Sequence, residues 1–214
     1  MRIGVLGTGD VGRTLGSAFV DLGHDVKMGS RSAAGKAVLD WVRKTGPKAS
    51  AGSFGEAASF GEIVVLATLG VAVPDAIASA GADSFRGKTV IDATNPLDFS
   101  AGMPPTLAIS GKDSGGEQTQ RLLPEAFVVK AFNTVGHAHM YRPGFRGGPP
   151  DMFICGDNED AKQMVATILR EFGWGIADVG GITASRYLEA MCLLWVLYGI
   201  KANSWDHAFK LLRK

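Results

Sequence analysis

Gly7, Gly9 and Gly12 stand in a Gly-x-Gly-x-x-Gly pattern directly after the apolar run Ile3, Val5 and Leu6. That spacing suits the cradling of a pyrophosphate. Gly7 permits a sharp exit from a strand, Gly9 lets backbone approach the phosphates, and Gly12 allows the next helix to pack closely on the sheet. Thr8, Asp10 and Val11 fill the pattern and open a helix that continues through Leu15, Ala18, Phe19 and Leu22 to Gly23. Free N–H groups and the positive dipole end at its start would hold the phosphates. An ordinary glycine-rich strand-helix turn would show the same three glycines without that context.

The second informative stretch is Met28-Gly-Ser-Arg-Ser32, where the second strand ends and the adenosine ribose would lie. A protein that prefers NAD places an acid here to accept the ribose hydroxyls. This chain has Ser30 instead, followed by Arg31, with Lys36 about one helical turn on. A guanidinium fork, a hydroxyl and an ammonium suit a 2′-phosphate, so the expected cofactor is NADP (NADPH). The competing reading is that Arg31 only begins a solvated helix face.

The ends of later strands should face the nicotinamide. They are Thr68-Leu69-Gly70, Thr94-Asn95-Pro96-Leu97 and Asn133-Thr134-Val135-Gly136. Thr68 and Leu69 are expected to flank the ribose, and Asn95, Asn133 and Gly136 to complete the cofactor-binding set, although Asn before Pro is also a common turn former. His137 and His139 follow in a polar loop. Neither has a carboxylate nearby in sequence, and hydride transfer between stacked rings needs no acid or base, so no catalytic side chain is expected.

These residues need a scaffold, and the alternation of strand and helix patterns predicts an α/β, Rossmann-type, doubly wound and mostly parallel sheet with a small helical C-terminal extension. Expected strands are Met1–Leu6, Asp25–Met28, Lys48–Ala51, Glu62–Ala67, Thr89–Ala93, Ala126–Phe132, Met152–Cys155 and Gly175–Val179. After the first helix, further helices are expected at Ala33–Lys44, Phe54–Phe60, Pro74–Ala80, Glu117–Leu123, Glu159–Phe172, Ala184–Ile200 and Ser204–Leu212. Gly144–Pro150, dense in turn residues, reads as a lid or linker. A dinucleotide-binding domain over 1–156 and a small α/β subdomain over 157–214 follow as the domain division.

With 214 residues and 46% hydrophobic content, the chain can bury one large core. Its 22 basic and 21 acidic residues give a net charge of +1, which makes no electrostatic case for nucleic acid or an acidic surface. No signal-peptide pattern precedes the first strand and Ala190–Ile200 is too short for a membrane span, so a cytoplasmic protein without a membrane partner is expected. Cys155 and Cys192 fall in different elements without metal-ligand spacing, and read as buried thiols, with no metal site.

Taken together, Gly7-Thr-Gly-Asp-Val-Gly12, Gly29-Ser-Arg31, Asp92-Ala-Thr-Asn-Pro-Leu97, Lys130-Ala-Phe-Asn-Thr-Val135, Cys155-Gly-Asp157 and Ser185-Arg-Tyr-Leu-Glu189 are wide in coverage. The chain resembles the NADPH-dependent oxidoreductases of the deazaflavin coenzyme F-420, whose fold is shared by the cytosolic reductase domain of six-transmembrane ferric reductases. That resemblance implies phosphate contacts at Thr8, Gly9, Asp10 and Val11 and 2′-phosphate contacts at Ser30 and Arg31. It also implies hydride transfer to a small-molecule redox partner, a deazaflavin or another flavin. Phe132-Asn-Thr-Val135 is closer to the ferric reductase domain than to members that handle deazaflavin. A non-catalytic NADP-binding regulator would carry the same loop, and so would an imine or keto-acid reductase, for which the segment after Cys155 is short. Finally, Leu188, Met191, Cys192, Leu194, Trp195, Leu197 and Tyr198 surround more than one face of their helix, which predicts further cover: an apolar wall of the cleft where the partner ring docks or, favoured, a second subunit, a homodimer, with Trp195 in the contact.

Overall fold

The computed structural model describes residues 1–33 and 35–214. In chain order the elements are β1 (Arg2–Leu6), α1 (Asp10–Asp21), β2 (Asp25–Ser30), α2 (Lys36–Thr45), β3 (Ala49–Ser53), α3 (Phe54–Phe60), β4 (Ile63–Leu66), α4 (Val73–Ala80) and β5 (Thr89–Asp92). They continue with β6 (Leu97–Asp98), β7 (Thr106–Leu107), α5 (Gly115–Leu122), β8 (Phe127–Lys130), β9 (Asp151–Gly156), α6 (Glu159–Glu171), β10 (Gly175–Asp178) and α7 (Ser185–Ala202). None of these helices is long and apolar enough to cross a membrane.

Eight strands form one sheet in the order β10-β9-β8-β5-β4-β1-β2-β3. From β3 to β8 every pair is parallel, because a helix carries each crossover. Between β8 and β9 there is no α-helix, and that pair is antiparallel. Side chains alternate across the sheet. Ile3, Val5, Ile63 and Val65 face α1, α2 and α6, while Leu6, Val64, Leu66 and Val90 face α3 and α4. Phe172 closes the first of these cores by packing on Phe19 at 5.1 Å and on Tyr141 at 5.1 Å.

Most expected elements are present with ends shifted by a few residues. The helix expected over Ala33–Lys44 runs from Lys36; position 34 lies outside the described residues. Leu97–Asp98 and Thr106–Leu107 form an antiparallel pair that the sequence pattern did not single out.

The terminal helix expected at Ser204–Leu212 does not form. Asn203 takes a left-handed conformation that ends α7, and the chain turns back as an irregular strap. Gly199 makes the turn possible, since a Cβ there would lie 2.5 Å from the Trp205 ring. Asp151 N donates to Phe209 O at 3.0 Å and Leu211 N to Asp151 Oδ2 at 2.9 Å, so strap backbone groups that a helix would pair internally bind β9 instead. Lys210 Nζ donates to Gly147 O at 3.0 Å and Pro149 O at 3.1 Å, which ties the Gly144–Pro150 stretch to the same strap.

The strap also corrects the expectation for Trp195. This side chain is only 9% exposed: its Nε1 donates to His207 O at 2.9 Å, and its ring stacks on His207 at 4.7 Å. The chain's own tail covers that face of α7.

Candidate functional site

The strand order reverses at β1 and β4, so the chain leaves these two paired strands in opposite directions and a crevice lies outside their ends. A cleft of about 740 Å³ opens at this point. Gly7, Thr8, Gly9, Asp10 and Val11 line one end, Ser30 and Arg31 the end of β2, and Thr68 and Leu69 the exit of β4. Nine of the fourteen residues singled out from the sequence therefore share one wall system.

The three glycines of the loop differ physically. Gly7 has φ +128°, and a Cβ there would lie 2.3 Å from Ala67 O. At Gly12 a Cβ would lie 2.1 Å from Gly7 O, so helix and loop could not approach as they do. Gly9 differs from both, since a Cβ there meets nothing within 4 Å and would project into open space. Gly9 is also the N-cap of α1, and no side chain caps that end. The first N–H groups of α1 are thus left for whatever occupies the cleft. Arg13 steadies the loop by donating to Thr8 O at 2.6 Å and pairing with Asp10 at 2.6 Å, which offsets the acidic charge at the lip.

At the opposite end Arg31 is exposed on the cleft wall, and Ser30 Oγ donates to Ser32 O at 2.5 Å. Lys36 is exposed in the first turn of α2 and does not line the cleft. An uncapped helix N-terminus and an arginine, separated along one cleft, fit the two phosphate-bearing parts of NADP.

Asn95, Asn133 and Gly136 lie outside the cleft lining. Asn95 Nδ2 donates to Asn133 O at 2.8 Å, and Asn133 Nδ2 donates to Asn95 Oδ1 at 3.0 Å and to Leu188 O of α7 at 2.9 Å. Gly136 packs under Trp195, where a Cβ would lie 3.1 Å from the ring. These residues brace the wall from behind, because Gly70, next to Leu69, backs onto Asn95 so closely that a Cβ would lie 2.1 Å from Asn95 O. Phe132, just before Asn133, has φ +64°, a conformation that costs about 1–3 kcal/mol and persists only where the surroundings enforce it.

Sequence reasoning missed several features. Phe54 at the start of α3, and Ala72, Asp75, Ala76 and Ser79 around α4, complete the cleft. His137 also lines it, whereas His139 pairs with Asp206 of the strap at 2.9 Å, a carboxylate far away in sequence. Lys130 is fully buried, with its Nζ 3.0 Å from Asp92 Oδ2 and 2.8 Å from Glu189 Oε1, and it donates to Thr94 O at 2.8 Å. Burial pulls its pKa down, and the two carboxylates more than reverse this, so the ammonium is held above the ordinary lysine value. One sequence signal could have found the pair: Thr89-Val-Ile-Asp92 and Phe127-Val-Val-Lys130 are apolar strands that end in opposite charges at paired positions. Cys155 and Cys192 are free and buried, and burial pushes both thiols up to about 12.

A cleft cut where a parallel sheet reverses its strand order, with a glycine loop at a helix N-terminus on its floor, defines a Rossmann-type dinucleotide-binding protein. Residues 2–96 match the family described as NADP oxidoreductase coenzyme F420-dependent. A crystal structure from Arthrobacter sp. FB24, described as a candidate F420-dependent NADP-reductase, superposes with a TM-score of 0.93 at 40% identity, covering 99% of each chain. The chain belongs to this family of F420-dependent NADP oxidoreductases. It is 29% identical to the F420-dependent NADP reductase of Methanothermobacter marburgensis, over 94% of this chain and 93% of that one. It is also 29% identical to the rat metalloreductase STEAP3 over 90% of this chain, and spans 36% of that protein's length.

Proposed function

We propose that the chain binds NADP(H) in the cleft and transfers hydride between the nicotinamide and a deazaflavin or flavin ring. The observation that carries this reading is that the uncapped N-terminus of α1 and the Arg31 guanidinium open into the same cleft from different ends. Backbone N–H groups of Gly9, Asp10 and Val11 would hold the pyrophosphate, and Ser30 and Arg31 the 2′-phosphate. Thr68 and Leu69 would wall the ribose. The bound cofactor supplies the hydride; the protein's part is to hold two rings at contact distance and keep water out, so no side chain has to move a proton. In this reading residues 1–156 hold the nucleotide, and 157–214 supply α7 and the strap behind the nicotinamide end.

Arg31→Ala is the test. NADPH affinity is expected to fall by about 1.5–3 kcal/mol, the range for hydrogen bonds to charged groups, with NADH affinity almost unchanged. Equal losses for both nucleotides in a fluorescence titration would remove the 2′-phosphate assignment.

The same proposal includes a homodimer through the outer face of α7. Tyr187, Leu194, Leu197 and Tyr198 are all exposed there, spaced by three, four and seven residues as in a helix-pairing seam. An antiparallel copy centred on Leu194 would set small Ala190 against large Tyr198, and Met191 against Leu197, so the face complements itself. Leu194→Asp should give a monomer in sedimentation with the fold intact. A wild-type chain that sediments as a monomer at micromolar concentration would remove the dimer from the reading.

A further inference from the structure

We propose that Glu189 is a positioning residue for hydride transfer: with Lys130 and Asp92 it forms a buried joint through which α7 sets the strand-end segments behind the nicotinamide end of the cleft. The inference rests on the NADP(H) reading above and deepens it.

The joint begins with charge. Lys130 offers one ammonium to two carboxylates, Asp92 at the end of β5 and Glu189 in α7, and all three side chains are essentially without solvent contact. One carboxylate is therefore in excess, and α5 answers it. Gly115 N and Gly116 N, the first donors of that helix, each bond Glu189 at 3.0 Å, to Oε2 and Oε1 respectively. Sheet, α5 and α7 are balanced only when all three meet at Glu189. Two neighbouring contacts fix the direction of α7: Ser185 Oγ lies 2.6 Å from Ser114 Oγ, and Arg186 Nε donates to Glu117 Oε2 at 2.7 Å. That guanidinium holds the Glu117 carboxyl below the usual carboxylate range.

From the joint the geometry leads to the cleft in short steps. Asp92 Oδ1 accepts from Thr94 N at 2.9 Å and Thr94 Oγ1 at 2.7 Å, while Lys130 holds Thr94 O. Thr94 is thus fixed at its N–H, its hydroxyl and its carbonyl. Asn95 comes next, clasps Asn133, and presses its carbonyl on Gly70 beside the cleft residues Thr68 and Leu69. Asn133 returns to α7 at Leu188 O, the residue before Glu189. These contacts reach the β4 to β8 side of the site, and none of them is made to the glycine loop or to Arg31. A disturbance at Glu189 should therefore move the nicotinamide end and spare the phosphate end.

Glu189→Gln tests this in the 214-residue chain, since the amide keeps the side chain's size but turns an N–H toward a backbone N–H at α5. NADPH, titrated by its own fluorescence, is expected to bind within about threefold of wild type, whereas single-turnover hydride transfer to a deazaflavin falls about a hundredfold, as a displacement of about 1 Å can cause. The nicotinamide emission of bound NADPH is expected to shift, and the side-chain amide NMR signals of Asn95 and Asn133 to move in the ligand-free protein. Lower melting temperature with unchanged rate, emission and amide signals would overturn the proposal, and so would equal losses in binding and rate. If the wild-type chain binds NADPH yet transfers no hydride, the functional reading fails separately, and the joint is then judged by the emission and the amide signals. Should Glu189→Gln not fold, Thr94→Val removes only the hydroxyl bond to Asp92 and should show the same split at about tenfold, with no split counting against the joint.

Discussion

Gly9→Val is expected to abolish measurable NADPH binding while leaving a folded protein. The position is in extended backbone, with φ −70° and ψ −177°, a region that valine prefers. A Cβ there meets no protein atom within 4 Å, so nothing in the fold resists the side chain. The space it enters is the cleft floor at the start of α1, where the pyrophosphate is proposed to sit against bare N–H groups. Displacing those contacts should weaken NADPH by at least about two orders of magnitude, about 2.8 kcal/mol. Thermal melting without ligand should stay near wild type, and the stabilisation that NADPH confers should vanish. Near-normal NADPH affinity for this variant would mean that the glycine loop does not hold the nucleotide. Gly12→Ala makes the contrast: its Cβ would collide with Gly7 O, so folding and binding should fail together.

Lys130→Met should be among the most destabilising single substitutions in the chain. It removes the one ammonium between Asp92 and Glu189 and leaves two carboxylates buried at the carboxyl ends of the central strands. Breaking a buried pair in this way costs about 3–5 kcal/mol, because the remaining charge cannot reach water. For a domain of this size the melting temperature should drop by roughly 6–20 °C. The pH dependence has a defined sign. Lys130 has a raised pKa in the folded state, so its stabilisation is fully present below the ordinary lysine value and is lost as the pH rises through the folded value. The gap between wild type and variant should stay constant through neutral pH and close in strong alkali. A loss below about 1 kcal/mol in denaturant unfolding would show that the cluster is not held as a charged unit.

Short-range order in the sequence determined a large part of this protein. The strand-loop-helix at Arg2–Asp21, the β-branched strands Ile63–Leu66 and Thr89–Asp92, and helix Glu159–Glu171 are visible because apolar periodicity and glycine or capping residues act within a few positions of one another. The glycine loop and the Ser30-Arg31 strand end were legible for the same reason, since each needs only its own backbone conformation and side-chain chemistry. Tertiary structure decided what depends on partners far along the chain. Ser204–Leu212 has enough apolar residues for a helix, yet Gly199, Trp195 and Asp151 claim its side chains and backbone groups first. Trp195 looked like a contact for another subunit because the tail that covers it lies in a later segment, and His139 seemed unpaired because Asp206 does too. That Asn95 and Asn133 bond each other was likewise set by the fold, since they lie in separate segments. Lys130, Asp92 and Glu189 are three ordinary charges in separate segments. The strand ends hint at Asp92 with Lys130, but only packing that removes water from all three at once makes each dependent on the other two, and no local pattern records that Glu189 joins them.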